Sequence, residues 1–502
     1  MKKVKIFFIV LSSMVFFACT KLDESFRDQV EALPGTNLPV ADLLRSAYNS
    51  LNNPYMDQSR FWAAQQHTTD ETIGPTRGPD WDDNGVWRVL HSHEWNADHG
   101  FLRDTYRELL QAQFAASTVL TFNPSAQQAA EARFLRAFSM FSVLDGWDQV
   151  PYREDLENLK ELPVTLKGTA AADFIIDELN AILPTLPDGP ASTANKDAAR
   201  ALLMKVYLNY GAFANRAAPT FSPADMNQVI ALADAIEASP RNYQLDNNFF
   251  ENFAWDNDSK SSENIFTLYN ADGDRGGNVR AMWFLGLHYN MTPSGWNGFT
   301  TLSDFYDKFE AADKRREASY PGVTDVTGMK VGLLLGQQYD ENGVALNDRK
   351  GNPLAFTRAV KLKETGNDLE ITGIRVMKYP PDLVGGDQAD NDYVIYRYAD
   401  VLLMKAEALL RTGKEPEARA IVNSIRTNRG ATALTTLTES NLLDERSREL
   451  YWESQRRQDL IRFGRFLEAW QEKPASEPKR LLFPIPSEQL AVNANLTQNP
   501  GY

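Results

Sequence analysis

The sequence has 502 residues, 52 basic and 67 acidic side chains, a net charge of −15 and a single cysteine. A chain of this length can bury a large hydrophobic core, as one large unit or as two to three domains. The acidic balance repels phosphate backbones and anionic lipid headgroups, which argues against a nucleic-acid partner, and a lone cysteine excludes an intramolecular disulfide.

The first 18 residues are typical of a secretory signal peptide. Lys2, Lys3 and Lys5 accompany the apolar stretch 6–18, which is too short for a membrane-spanning helix of about 20 residues. After residue 18, no apolar run is long enough to cross a bilayer. The sequence therefore predicts an exported protein that faces water, with residues 1–18 as its signal peptide.

Cys19 follows the apolar stretch directly. Ala18–Cys19 resembles the end of a bacterial lipobox, although Phe16–Phe17 depart from the strict pattern. This predicts that Cys19 begins the mature chain and carries lipid, because two or more acyl chains hold a protein stably on a membrane. The alternative is an ordinary cleaved signal that ends near an unmodified cysteine. The acid pair Asp23–Glu24 resembles the export tag of surface lipoproteins in the Bacteroidetes.

Residues 19–239 are predicted to be an N-terminal helical region. Apolar side chains recur at helical spacing from Ala199 to Tyr210, which places one apolar stripe on a helix. Similar patterns occupy residues 41–52, 103–121, 126–145, 169–183 and 224–238. The fold is therefore predicted to be mostly α.

One loop of this region, residues 75–87, combines aromatic and polar side chains. Trp81 and Trp87 lie among Arg77, Asn84 and an aspartate pair. A pyranose ring has apolar C–H faces and a belt of hydroxyls, so tryptophan beside such polar groups is typical of a sugar site. Trp81 lies in a turn-like segment and is predicted to be exposed. Trp87 is open to two interpretations, as a ligand contact or as a core residue.

Four of the five histidines are close together in the sequence, at positions 67, 91, 93 and 99. A His-x-His pair on a strand would put both rings on one face, a spacing that zinc sites use. The interleaved tryptophans instead favour hydrogen-bonded structural histidines. We therefore predict neither a metal site nor a cofactor.

Residues 240–300 and 320–395 are rich in Gly, Asn, Asp and Pro, which predicts long loops with short strands near 263–269 and 391–396. The loop 282–299 holds Trp283, Tyr289 and Trp296. Trp296 is predicted to be exposed, whereas Trp283 is open to either a ligand-binding or a core role. Residues 272–276 resemble the start of a calcium loop, but position 12 is Trp283 instead of the required glutamate, so a glycine-rich turn is the better interpretation.

The C-terminal part returns to helical patterns, and residues 240–502 complete one compact unit with the preceding region. An apolar stripe over 399–410 is followed by Gly413, by Pro416 and by a second helical stripe that ends at Gly430. Two helices joined by a tight turn resemble a tetratricopeptide unit. A further helical pattern occupies 439–464.

Five blocks in this part resemble the SusD/RagB family of Bacteroidetes outer-membrane lipoproteins, in the order in which that family carries them. They are RYADVLLMKAEALLRTG (397–413), NSIRTNRG (423–430), ERSRELYWESQRRQDLIRFGRF (445–466), LFPIPSEQL (482–490) and QNPGY (498–502). Two earlier segments, 132–152 and 304–316, agree more loosely. The resemblance covers nearly the entire chain.

The resemblance implies a SusD-like fold, with tetratricopeptide-like helix pairs on one side and a loop-rich face on the other. It implies a surface-exposed lipoprotein that captures a glycan and passes it to a SusC-like TonB-dependent transporter, with no catalysis. In sugar-binding members, aromatic residues from the two loops described above form one exposed platform. The predicted glycan-binding residues are Arg77, Trp81, Asn84, Trp87, Trp283, Tyr289 and Trp296.

Other functions remain as alternatives. Some members of the family capture peptides, and a tetratricopeptide scaffold that binds only proteins would show no exposed tryptophan platform. The sequence carries neither a G-x-S-x-G elbow nor an H-E-x-x-H helix, which argues against those hydrolase classes. The acidic string 444–449 is predicted to form a solvated face or an ion-pair network. The cluster of Arg456, Arg457, Asp459 and Arg462 is predicted to form internal ion pairs.

Overall fold

The computed structural model describes residues 39–154, 156, 158–271, 278–366 and 368–502. The predicted signal peptide, Cys19 and the glycine-rich segment 272–276 lie outside these residues. The described helices are α1 (Val40–Asn49), α2 (Asn52–Met56), α3 (Phe61–Gln66), α4 (Val86–His91), α5 (Gly100–Leu120), α6 (Ala126–Trp147), α7 (Gly168–Ile182), α8 (Lys196–Ala214), α9 (Pro223–Glu237), α10 (Asn257–Lys260), α11 (Ala281–Phe284), α12 (Ser303–Tyr306), α13 (Thr324–Thr327), α14 (Tyr398–Arg411), α15 (Glu415–Asn428), α16 (Glu439–Leu450), α17 (Arg456–Arg462) and α18 (Ser487–Val492).

The strands are short and lie mainly between α9 and α14. They are β1 (Thr76–Arg77), β2 (Gln149–Tyr152), β3 (Val164–Lys167), β4 (Asn264–Leu268), β5 (Glu317–Ala318), β6 (Val331–Leu334), β7 (Gly336–Gln337), β8 (Ala355–Phe356), β9 (Lys363–Glu364), β10 (Arg375–Met377) and β11 (Tyr393–Arg397). They pair as β1–β9, β2–β3, β4–β11, β7–β8 and β10–β6–β5. The prediction of a mostly α fold with short strands among long loops is confirmed.

The long helices begin where the sequence supplies a cap. The Ser125 side chain accepts a hydrogen bond from the backbone N–H of Gln128, and the Gln128 side-chain oxygen accepts one from the backbone N–H of Ser125, which starts α6 with a capping box. Asn195 caps α8, and Ser222 caps α9, whose first residue is Pro223. These caps satisfy backbone N–H groups that have no partner within the helix.

The predicted tetratricopeptide-like pair is α14 and α15. Gly413 makes the turn between them at φ 79°, a left-handed conformation that favours glycine, and Pro416 lies in the first turn of α15. Leu403 and Ala406 of α14 bury against Val422 of α15 in one apolar cluster. Helix α9 packs against both α8 and α14, so helices on both sides of residue 239 belong to the unit Val40–Tyr502.

A network of buried ion pairs lies where α16 meets the loop-rich region. The Glu449 carboxylate accepts hydrogen bonds from Arg315 at 2.9 Å, from Arg397 at 2.7 Å and from Arg429 at 2.8 Å. These four side chains are at most 1 % exposed. Burial alone would raise the pKa of Glu449, but the three guanidinium groups outweigh it and hold that pKa well below its usual range.

Neighbouring charges extend this network. Glu263, which precedes β4, accepts from both Arg397 and Arg429, and Glu445 accepts from Arg315. Of the two roles that the sequence left open for the acidic string 444–449, the structure shows the ion-pair network for Glu445 and Glu449, which are fully buried. They face the arginines of other segments because those guanidiniums need carboxylate partners away from water.

The predicted internal ion pairs of α17 are confirmed. Arg456 binds Asp70 through two nitrogens at 2.6 and 2.7 Å, and Arg462 binds both oxygens of Glu407 at 2.8 Å. Asp459 accepts from Arg446 at 2.7 Å.

None of the described helices is long and apolar enough to cross a membrane.

We expect Glu449→Gln to destabilise the protein by about 3–5 kcal/mol, because it leaves three buried guanidinium groups without their shared carboxylate. The free energy of unfolding from urea titration measures this loss. Lys330→Met is the control, since it breaks an ion pair with Glu317 that is largely exposed and should leave the unfolding midpoint nearly unchanged. Equal urea-unfolding midpoints for Glu449→Gln and Lys330→Met would contradict a structural role for the ion-pair network around Glu449.

Candidate functional site

The loop after β1 holds three residues in left-handed backbone conformations. Trp81 has φ 58°, Asp83 has φ 38° and Asn84 has φ 55°. Each such residue costs on the order of 1–3 kcal/mol, and conformations of this kind cluster at ligand-binding sites, where the surroundings hold them in place. Trp87 helps to hold this turn, because its Nε1 donates to the Asp83 carboxylate at 2.7 Å. Asn84 is exposed.

Trp81 and Trp296 meet, although 215 residues separate them. The Trp81 Nε1–H donates to the Trp296 carbonyl oxygen at 3.0 Å. The Trp81 ring is half-buried, packs against Phe299 at 4.9 Å between centroids and lies over Gly298. Trp296 is 38 % exposed, and its ring stacks on Phe284 at 5.6 Å. The two predicted loops thus meet at the Trp81 indole and the Trp296 backbone, with the Trp296 ring exposed and the Trp81 ring half-buried.

Trp87 and Trp283 are core residues, with 3 % and 1 % of their surfaces exposed. Of the two roles that the sequence left open, the structure therefore favours packing for both. Trp87 packs against Phe299 at 4.7 Å and Phe101 at 4.6 Å. Neither indole can offer a face to a ligand, because apolar contacts cover both.

Arg77 is also buried, contrary to the predicted ligand contact. Its guanidinium donates to the backbone carbonyls of Gly298 at 3.2 Å, Leu369 at 2.7 Å and Thr372 at 2.9 Å. Burial lowers the pKa of Arg77 to about 10, and Glu364 opposes that shift. Arg77 therefore ties the 298 and 369–372 segments to β1, which leaves it no free donor edge for a ligand.

Tyr289 lies at the edge of the site and is half-buried. The Arg349 guanidinium covers its ring at 4.0 Å, and the Tyr289 hydroxyl points to Asp80 at 3.5 Å. One face of Tyr289 is therefore occupied by a cation and is not free to stack on a ligand. Asp80 is the immediate neighbour of Trp81 in sequence, whereas no local pattern in the sequence indicates Arg349.

The predicted structural role of the histidines is confirmed for three of the four. His91, His93 and His99 bond to backbone carbonyls of Thr72, Thr68 and Val86. His67 differs, because neither ring nitrogen has a hydrogen-bond partner among the described residues. Its ring packs against Trp62, Trp87 and Phe299 instead.

Burial lowers the pKa of His67 to about 3, and the neighbouring His91 adds to that shift, so the ring is neutral at physiological pH. Within the described residues, no three His, Cys, Asp or Glu side chains group as metal ligands.

Comparison of the sequence with known proteins identifies related chains. The sequence model of the SusD family matches residues 236–477. The starch-binding protein SusD of Bacteroides thetaiotaomicron is 27 % identical over 417 residues, which cover 75 % of this chain and 73 % of that protein. SusD-like protein P2 of Formosa agariphila is 24 % identical in an alignment that spans 100 % of both chains.

Solved structures share the fold at low sequence identity. A laminarin-binding SusD-like protein superposes with a TM-score of 0.70 at 20 % identity, over 92 % of this chain and 99 % of that one. A SusD superfamily protein from Parabacteroides distasonis gives 0.72 at 18 % identity, over 92 % and 98 %. The surface glycan-binding protein A from Bacteroides thetaiotaomicron, solved in complex with laminarihexaose, gives 0.64 at 18 % identity, over 92 % and 98 %.

Gly298→Ala tests whether the Trp81 ring is held as described. A Cβ at this position would lie 2.5 Å from a Trp81 ring atom, so the ring must move. We expect a loss of about 1–3 kcal/mol in the free energy of unfolding and a changed near-ultraviolet circular dichroism spectrum. Gly100→Ala is the control, because a Cβ there meets no atom within 4 Å. An unchanged spectrum for Gly298→Ala would contradict the close packing of Trp81 on Gly298.

Proposed function

The chain belongs to the SusD family, and from this premise we propose that it is a surface-exposed lipoprotein that binds extracellular glycan. In this proposal it delivers the oligo- or polysaccharide to a partner TonB-dependent outer-membrane transporter. It works by binding alone, without catalysis and without a cofactor. Peptide capture in the same transporter role is the second candidate, and a protein-only tetratricopeptide scaffold is the third.

The pairing of Trp81 with Trp296 is the observation that supports glycan as the ligand. The two tryptophans come from separate loops, and a hydrogen bond from the Trp81 indole N–H to the Trp296 backbone carbonyl joins these loops. Flat apolar faces of this kind bind the C–H faces of sugar rings, while the exposed Asn84 and Asp80 nearby can bond to hydroxyls. Similarity to a starch-binding protein and to a laminarihexaose-binding fold points to the same class of ligand.

The tryptophan pair also weighs against the alternatives. A scaffold that binds proteins through its helix pairs has no need for two aromatic loops in strained conformations. Glu445 and Glu449 of the string 444–449 are unavailable as a hydrolase pair, because they serve buried ion pairs. Peptide capture remains compatible with an aromatic surface, and a direct comparison of ligands separates it from glycan binding.

The membrane anchor and the transporter complete the proposal. Cys19, with the signal peptide before it, would attach the chain to lipid of the outer membrane on the outer surface. The family resemblance supports a SusC-like transporter as the partner. A stable complex with a transporter would bury well over about 1,000 Å² in total.

We expect Trp296→Ala to weaken glycan binding by at least about 2 kcal/mol, roughly thirtyfold in affinity, with little change in the thermal midpoint. Trp81→Ala should lose binding to a similar degree, but it should also destabilise the protein because its ring packs on Phe299. Isothermal titration with the best polysaccharide of a screening panel measures the affinity.

Phe114→Ala is the matched control for these variants, since Phe114 is 46 % exposed on α5, away from both loops in sequence. It should leave affinity unchanged. Trp283→Ala should instead lower stability by about 3–5 kcal/mol, as expected for a core tryptophan. Unchanged affinity in both Trp81→Ala and Trp296→Ala would place the binding surface elsewhere. Tight binding of a peptide panel but of no polysaccharide would favour the second candidate.

We expect Cys19→Ala to release the protein from the outer membrane, because the variant has no thiol to receive lipid. Fractionation of cells, together with protease treatment of intact cells, measures the location. The unaltered protein should be found in the membrane fraction and be cleaved from outside. Surface display of Cys19→Ala at the level of the unaltered protein would refute the lipid anchor.

A further inference from the structure

Arg349 is held in place over Tyr289 by contacts that leave its outer edge open. Its Nε donates to one oxygen of Glu370 at 2.7 Å, and the other Glu370 oxygen bonds to His288 at 2.8 Å. The guanidinium lies over the Tyr289 ring at 4.0 Å. The side chain is nevertheless 51 % exposed, and neither Nη atom has a hydrogen-bond partner among the residues that the structure describes.

Asp80 lies on the other side of the same tyrosine. Its carboxylate contacts the Tyr289 hydroxyl at 3.5 Å, and the residue is exposed. Among the described residues, no Lys or Arg nitrogen lies within ion-pair distance of Asp80. A fixed donor edge and a free acceptor thus both adjoin Tyr289, and Asp80 directly precedes Trp81 in sequence.

The other charges of this rim are already paired. Arg88 binds Asp82 at 2.6 Å, and the charge of Arg349 is offset by Glu370. Arg280 lies over Phe284 and has a further interaction of its own. A carboxylate or sulfate on a ligand that approached Arg349 would meet the unpaired charge of Asp80.

We propose that Arg349 and Asp80 together form hydrogen bonds to two neighbouring hydroxyls of an uncharged sugar, whose ring stacks on the Trp81–Trp296 pair. A hydroxyl both donates and accepts, so one can donate to Asp80 while the oxygen of its neighbour accepts from an Nη–H of Arg349. Hydrogen bonds to charged groups are stronger than those between neutral groups, which makes Arg349 and Asp80 determinants of specificity. This inference rests on the proposed glycan-binding function and narrows its ligand to neutral glycans.

The experiment measures affinities of four probes for the purified full-length protein in mild detergent. The neutral probes are laminarihexaose and maltohexaose, and the acidic probes are the hexamers of galacturonate and mannuronate. Salt at about 0.15 M screens the overall negative charge of the chain beyond about 8 Å. We expect at least one neutral probe to bind tenfold or more tightly than either acidic probe, an estimate based on the strength of charged hydrogen bonds.

Two variants and one control test the pair. Arg349→Met should weaken the affinity for the neutral probe by roughly tenfold or more, because it removes a charged donor and keeps the apolar part of the side chain. Asp80→Asn should weaken binding of the neutral probe and reduce the difference in affinity between the neutral and the acidic probes. Arg358→Met is the control, since Arg358 is 45 % exposed, pairs with Asp307 and lies over Tyr306 at 5.4 Å, in the same kind of setting but in another loop. It should change no affinity.

The outcomes separate this inference from the function on which it rests. If Trp296→Ala abolishes binding of a neutral probe and Arg349→Met leaves it unchanged, the donor–acceptor pair is refuted while the glycan platform stands. If an acidic probe binds more tightly than both neutral probes and Arg349→Met abolishes that binding, Arg349 is an anion receptor and the neutral-sugar inference is overturned. If no probe binds, or if Trp296→Ala has no effect on any, both the inference and the proposed platform fail.

Discussion

Charge that is buried away from water is the constraint on which the rest of this structure depends. Glu449 of α16 meets arginines from three distant segments, and an unpaired charge at that depth would cost several kcal/mol. The segments must therefore adopt the one arrangement in which every guanidinium finds its carboxylate. Because Arg397 ends β11 and Arg429 follows α15, the network joins the tetratricopeptide-like pair to the loop-rich region.

The loop-rich face uses arginine in a second way. Long loops have few regular backbone pairings, and buried carbonyl oxygens without a partner are costly. Arg77 donates to three of them, and Arg375 donates to the carbonyl of Thr372 at 2.6 Å and to the Asn297 side chain at 2.7 Å. Asn297 has φ 52° and follows Trp296, so these buried arginines fix the backbone that presents the indole.

The candidate site therefore rests on buried side chains that are separate from its exposed ones. Trp87, Trp283 and Arg77 are buried, and they hold the loops from which Trp81, Asn84 and Trp296 reach the surface. Asp80 and Arg349 add polar groups at the edge of this surface, on either side of Tyr289. Buried supports below and a held arginine at the rim would give the proposed site a fixed shape.

Local patterns in the sequence determined the helices, the turn at Gly413, the loop-rich middle and the two aromatic loops, because caps, apolar periodicity and turn residues act over a few positions. They also predicted exposure of Trp81 and Trp296, of which Trp296 is exposed and Trp81 is half-buried, whereas the expectation that both belong to one site came from the family resemblance. Only the tertiary structure decided that Trp87, Trp283 and Arg77 are internal and that Arg349 belongs to the rim. Burial and pairing of these side chains depend on contacts between segments hundreds of residues apart, such as Arg77 with Leu369, and no local pattern encodes such contacts.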